Sequence, residues 1–157
     1  MAKIIDSHKA IEISKKLKNH KKIVLCGGCF DILHKGHIEF LEEAKKRGDT
    51  LFVLLESDES VRKLKGKDRP ANKQEKRALV LSSVESIDYV VPISLLKHDK
   101  DYDDLIIKIN PDIIATTQND PGKHHKIRQA KLINARVLDV IKKIKGESTT
   151  ELTKLIL

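Results

Sequence analysis

The stretch Cys26-Gly27-Gly28-Cys29-Phe30-Asp31-Ile32-Leu33-His34-Lys35-Gly36-His37 constrains this chain more than any other. It follows an apolar run, Ile23-Val24-Leu25, and leads into a helical pattern with Ile38, Leu41 and Ala44 on one face. A strand, a tight glycine turn and a helix start together describe a place where an α/β protein holds an anion. Gly27 and Gly28 are expected to supply positive φ angles and close backbone approach. Unpaired N–H groups at the helix start, with the positive end of its dipole, favour a phosphate there. Two histidines three apart, with Gly36 keeping the backbone open between them, can both point at it.

The rest of the chain reads as strands alternating with helices. Ser7 to Asn19 is amphipathic, with Ser7 as its expected N-cap, and packs as an appendage ahead of the first strand, Lys22–Cys26. A helix over Ile38–Arg47 follows the glycine turn, closed by Gly48. Leu51–Leu55 is a continuous apolar run, the pattern of a buried parallel strand. A short helical turn from Ser57 to Lys63 leads to a basic segment, Lys65–Lys73, which holds Gly66 and Pro70 and reads as a mobile loop. Asn72, with Glu75 three residues on, offers a cap for the next helix. Strands at Asp88–Ile93, Asp112–Thr116 and Arg136–Val140 alternate with helices at Tyr102–Ile109 and Lys123–Ile133, and Ser148-Thr149-Thr150 opens a final helix. This alternation implies a parallel sheet with right-handed crossovers. Ligands bind beyond the strand C-terminal ends in such sheets. The glycine turn, the Gln118–Gly122 turn and the Lys142–Thr150 turn should therefore share one rim.

With 157 residues and hydrophobic residues at 39%, the chain suits one globular domain without a linker or repeat. No apolar run approaches the roughly 20 residues of a membrane span, and the Lys-rich N-terminus lacks an apolar signal-peptide core, so a cytoplasmic protein is expected. The net charge of +8 suits polyphosphate, acidic membrane or nucleic acid, although a solvated basic face explains most of the lysines. Two cysteines make no disulfide framework. Cys26, Cys29, His34 and His37 could on paper hold zinc, but a closed zinc site would consume both histidines and the glycine turn. Cys26 reads instead as a small buried hydrophobe. No carboxylate cluster marks a dedicated metal cage.

Gly28-Cys29-Phe30-Asp31-Ile32-Leu33-His34-Lys35-Gly36-His37 resembles the signature of the cytidylyltransferase-like nucleotidyltransferases. Leu64-Lys65-Gly66-Lys67-Asp68-Arg69-Pro70 and Glu75-Lys76-Arg77-Ala78 are most similar to its heptose 1-phosphate adenylyltransferase branch. The resemblance implies a Rossmann-like α/β fold, with a five-stranded parallel sheet in the order 3-2-1-4-5 and helices on both faces. The resemblance runs from about Lys22 to the C-terminus and implies a nucleotidyltransferase domain spanning 22–157, with residues 1–21, which hold the amphipathic helix, packed on it. The reaction implied moves a nucleoside monophosphate from ATP or CTP to a phosphorylated small molecule with release of pyrophosphate. Magnesium would arrive with the triphosphate, and a homodimer is left open.

By the same resemblance His34 and His37 contact the triphosphate, and Lys63 and Lys65 reach its outer phosphates. Gly28, Cys29, Phe30, Gly36, Arg77, Lys143, Ser148 and Thr149 fall at nucleotide-binding positions, and Asp31 braces the turn or meets the acceptor. Lys143 stands where relatives carry arginine, and the Thr117–Pro121 turn differs from theirs, so the base and the acceptor are where the reading stops. Heptose 1-phosphate with ATP leads; a cytidylyltransferase for glycerol 3-phosphate or another alcohol phosphate, and an FAD synthase, follow. His8, His20, His98, His124 and His125 read as surface residues. A nucleic-acid-binding module using Lys123, Lys126, Arg128, Lys131 and Arg136 is the rival of a different class. Three phenylalanines and two tyrosines give it few stacking platforms.

Overall fold

Side chains of Val24 and Cys26 enter one hydrophobic core, while Ile23 and Leu25 enter another. This alternation along one strand is the period-2 signature of a sheet buried on both faces. The structure is a computed structural model and describes residues 1–142. The expectations for Lys143, Ser148, Thr149 and the final helix lie outside the described residues.

The elements run β1 (Lys3–Ile4), α1 (Ser7–Leu17), β2 (Ile23–Gly28), α2 (Lys35–Lys45), β3 (Thr50–Leu55), α3 (Asp58–Lys65), α4 (Gln74–Ser82), β4 (Tyr89–Pro92), α5 (Asp99–Ile109), β5 (Ile113–Thr117), α6 (Lys123–Ile133) and β6 (Arg136–Ile141). All pairings are parallel, and the sheet has six strands in the order β1-β4-β3-β2-β5-β6. Without β1 this is the expected 3-2-1-4-5. The sixth strand is the correction: Lys3 and Ile4 pair with Tyr89 and Val90 at the edge. Two residues carry too short an alternation for a sequence reading to register.

Leu41 and Ala44 of α2 and Ala78 and Leu81 of α4 cover one face. Ala10 of α1, Leu105, Ile106 and Ile109 of α5 and Ala130 of α6 cover the other. α1 is thus part of this second layer rather than an appendage. Its Ala10 and Ser14 are fully buried, and Lys18 just beyond it donates to Asp112 Oδ1 at 2.8 Å. Its cap is Asp6, not Ser7, with Oδ1 accepting from Lys9 N at 2.7 Å.

Candidate active site

β2 lies between β3 and β5, so the chain leaves it toward β3 and later returns on its other side at β5. That reversal opens a crevice beyond the strand ends. A cavity of about 640 Å³ occupies it, walled by Gly27, Gly28, Cys29 and Phe30 from β2 and the turn.

The turn differs locally from its expected form. Gly27 and Gly28 continue β2, and the left-handed residue is Phe30, with φ 43°. A side chain in that region is held only by its surroundings. Phe30 is buried, and its ring meets that of His37 at 5.3 Å. A Cβ on Gly28 would lie 2.9 Å from the Phe30 ring, so this glycine gives the aromatic room.

His34 is the N-cap of α2. Its Nδ1 accepts from Gly36 N at 3.1 Å, which places the proton of the neutral ring on Nε2. The ring stacks on that of His37, centroids 3.9 Å apart. His37 lines the cavity. Burial, then the neighbouring His34 and Lys65, pull its pKa down to about 4, against a backbone hydrogen bond with Ile32 that works the other way. His37 is therefore neutral at pH 7 and meets a ligand as a hydrogen-bonding ring, not as a fixed cation.

Other expected site residues divide. Lys65, at the end of α3, lines the cavity with Arg69. Lys63 does not; it is exposed and faces Glu59 at 3.9 Å. Gly36 sits in the first turn of α2, where its amide meets the His34 ring.

Arg77 is the larger correction. It is 1% exposed, and its guanidinium is engaged inside the protein. Nε donates to Asn72 O at 3.0 Å, Nη1 to Cys29 O at 2.6 Å, and Nη2 to Glu56 O at 2.9 Å and Asp58 Oδ1 at 2.7 Å. Instead of reaching into the cavity, it fixes the backbone of the turn that walls it.

Asp31 is likewise internal rather than an acceptor contact. Its carboxylate accepts from Arg69 Nε at 2.7 Å, Ala71 N at 2.8 Å and Asn72 N at 3.0 Å. Burial acts to raise its pKa, but these donors outweigh it and hold the carboxyl below the usual range. The segment expected to be a mobile loop is consequently pinned over Arg69–Asn72. Asn72 does not cap α4; its side chain donates to Asp31 O at 3.3 Å, and Lys73 occupies the cap position without a side-chain bond.

The opposite wall went unread in the sequence. Asp99, Tyr102 and Ile106 of α5, and Gly122, His125, Lys126 and Gln129 at and along α6, face the cavity. The first set follows i, i+3, i+7 and the second i, i+3, i+4, i+7, helical spacing that was the available signal once the turn before α6 was placed on the rim. His125, expected on the surface for want of context, belongs here. Asp120 organises this wall: Thr116 Oγ1 donates to it at 2.6 Å, Gly122 N at 2.8 Å, and Lys126 Nζ forms an ion pair with it. Burial opposes ionisation of Asp120, but Lys126 and Thr116 keep its carboxyl below the ordinary value. Glu56, at the end of β3, accepts from Tyr102 OH at 2.9 Å, and burial raises its pKa.

Cys26 and Cys29 both line the cavity, and burial pushes the Cys26 thiol up to about 12. Among the described residues no three His, Cys, Asp or Glu side chains are grouped to hold a metal ion. A zinc set of Cys26, Cys29, His34 and His37 is therefore not assembled.

The cytidylyltransferase-like family profile matches residues 25–152. The chain belongs to the cytidylyltransferase-like family. Its nucleotidyltransferase-type domain is 41% identical over 149 residues to the bifunctional protein HldE of Aliarcobacter butzleri, covering 92% of this chain and 29% of that protein. It is 43% identical over 144 residues to HldE of Wolinella succinogenes, covering 86% of this chain and 30% of the relative. The chain thus spans less than a third of the length of these curated relatives. Among solved structures, a lipopolysaccharide core biosynthesis protein from Thermoplasma volcanium superposes with TM-score 0.65 at 28% identity, covering 79% of this chain and 99% of that one. A pantoate–beta-alanine ligase from Francisella tularensis, at TM-score 0.66, 14% identity and coverage of 93% of this chain and 69% of that one, shares the fold. No helix among the described residues is long and apolar enough to cross a membrane.

Proposed function

We propose that this domain transfers a nucleoside monophosphate from a nucleoside triphosphate to the phosphate of a small acceptor, with ATP and a heptose 1-phosphate as the leading pair. The observation that carries the reading is the His34–His37 stack at the start of α2, whose His37 lines the cavity together with Lys65 and Gly28. An acceptor phosphate oxygen attacks the α-phosphorus, the bond from that phosphorus to the β-bridging oxygen breaks, and pyrophosphate leaves with the electron pair. No protein nucleophile is needed, since the acceptor phosphate is already anionic. The work of the protein is positioning and stabilisation of growing negative charge. Neutral His37, the Nε2–H of His34 and the Lys65 ammonium supply donors to the triphosphate. Magnesium enters as part of the triphosphate substrate, as is usual for an ion that keeps few protein ligands.

The similarity to two HldE proteins supports the sugar-phosphate branch. So does the far wall, where Glu56, Tyr102, His125 and Gln129 offer neutral and acidic groups suited to hydroxyls. The reading places the reaction in the cytoplasm. With magnesium and triphosphate alone, pyrophosphate release should be almost nil; the right acceptor should switch it on, one pyrophosphate per phosphoanhydride formed. ATP, CTP, GTP and UTP crossed with sugar 1-phosphates, glycerol 3-phosphate and flavin mononucleotide make the test. Activity with another pair would replace the substrate, and silence across the panel would reject the reaction.

A further inference from the structure

Two arginines are buried beside the turn, and they differ in one respect. Every guanidinium nitrogen that Arg77 directs at the turn has a partner. Arg69 is 7% exposed, its Nε is held by Asp31, and its Nη2 is buried with no hydrogen-bond partner among the described residues. A buried guanidinium N–H left unmatched carries its desolvation cost with nothing to offset it. Arg69 is also a wall residue of the cavity, and its charge, like that of Lys65, acts on the Cys29 thiol.

We infer that the Nη2 arm of Arg69 is a phosphate-oxygen binding group, aimed by Asp31 and completed only when substrate arrives. Asp31 takes the Nε edge and also anchors Ala71 and Asn72, so the remaining edge is oriented before any ligand binds. A guanidinium fork matches a tetrahedral oxyanion, and Lys65, with the amide end of α2 beside His37, makes the neighbourhood favourable for a polyanion. An unmatched guanidinium N–H on a residue of the cavity wall is what calls for a phosphate oxygen. Its source, triphosphate or acceptor phosphate, rests on the transferase reading, and the test separates the two.

Calorimetric titration of wild type, Arg69→Lys and Arg69→Met is run with two probes: inorganic phosphate, and magnesium with α,β-methylene-ATP. One probe should bind Arg69→Met about 10- to 100-fold more weakly, the scale of a lost charge-assisted hydrogen bond. Arg69→Lys should recover only part of this, because lysine keeps the charge without the fork. Loss confined to phosphate assigns the arm to the acceptor, and loss confined to the analogue assigns it to the nucleotide. Since removing Arg69 strips Asp31 of its partner, wild-type protein labelled with [15N]arginine supplies a second readout. One guanidinium should become protected from solvent exchange on adding the same probe. Equal binding to wild type and Arg69→Met, no binding of either probe to wild type, or unchanged guanidinium signals with a bound probe would overturn the inference. Probe binding that depends on Arg69, without pyrophosphate release on the substrate panel, would reject the transferase reading and leave the phosphate contact standing.

Discussion

Arg77 Nη1 lies 2.6 Å from the carbonyl oxygen of Cys29. A helix packed on one face of the sheet thereby holds the turn after β2 by its backbone, and the same guanidinium reaches Glu56 O at the end of the neighbouring strand. One buried side chain sets the spacing of two strand ends. A buried charge with four hydrogen bonds is stabilising only as a complete set.

Removing that set should be costly. Arg77→Met leaves three carbonyls and the Asp58 carboxylate unmatched and should destabilise the fold by about 3–5 kcal/mol. Denaturant unfolding measures it. A loss below about 1 kcal/mol, the range of ordinary surface changes and single exposed bonds, would show that the turn keeps its shape unaided.

His34 combines a cap with a donor, and substitution can separate them. His34→Asn keeps an N-cap acceptor, whereas His34→Ala loses it at a cost of about 1 kcal/mol. Both should lower kcat by roughly 10²–10³, as should His37→Ala, the scale of one lost transition-state donor. Steady-state rates beside thermal melts make the comparison; near-normal turnover in His34→Asn would reduce His34 to its cap.

His37 should leave a mark on the pH dependence of stability. Its pKa falls from the ordinary 6.5 to about 4 in the folded protein, so between these values the unfolded chain binds more protons. The contribution is complete above pH 6.5, is lost as pH falls, and is gone below about pH 4. Titration of the ring by NMR should give a midpoint near 4, and His37→Gln should flatten the stability profile across that window. A midpoint at 6.5 would mean that the ring is solvated and the stack open.

The two lysines of α3 should separate sharply. Lys65→Ala should raise the KM for triphosphate or lower kcat by at least about tenfold, in keeping with a charged hydrogen bond to phosphate. Lys63→Ala, removing an exposed residue 3.9 Å from Glu59, should change either constant by less than about threefold. The reverse pattern would put Lys63, rather than Lys65, against the triphosphate.

The parallel sheet, the cavity rim and the histidine pair were legible because each rests on local pattern: apolar runs, turn residues and a three-residue spacing. Arg77 was legible as important but not as buried, since a lone arginine between Lys76 and Ala78 looks like any helix-surface cation. Its destination depends on carbonyls from Cys29 and Glu56, far away in sequence. Asp31 was similar, its partners lying about 40 residues on. The positive φ fell on Phe30 rather than on a glycine because tertiary packing against His37 overrides the local preference. Helical spacing in α5 and α6 carried the far wall, but only the topology shows which helix face turns toward a cavity.

The turn before α6 closes upon itself. Asp120, Thr116, Gly122 and Lys126 bond to one another, and among the described residues none of them takes a hydrogen bond from the turn that bears the histidines. A lineage, or an engineer, can therefore vary residues 116–126 together, provided that the ties of Gln118 and Lys123 to β6 are kept. The histidine turn would stay as it is, while the shape of the cavity beside it changes.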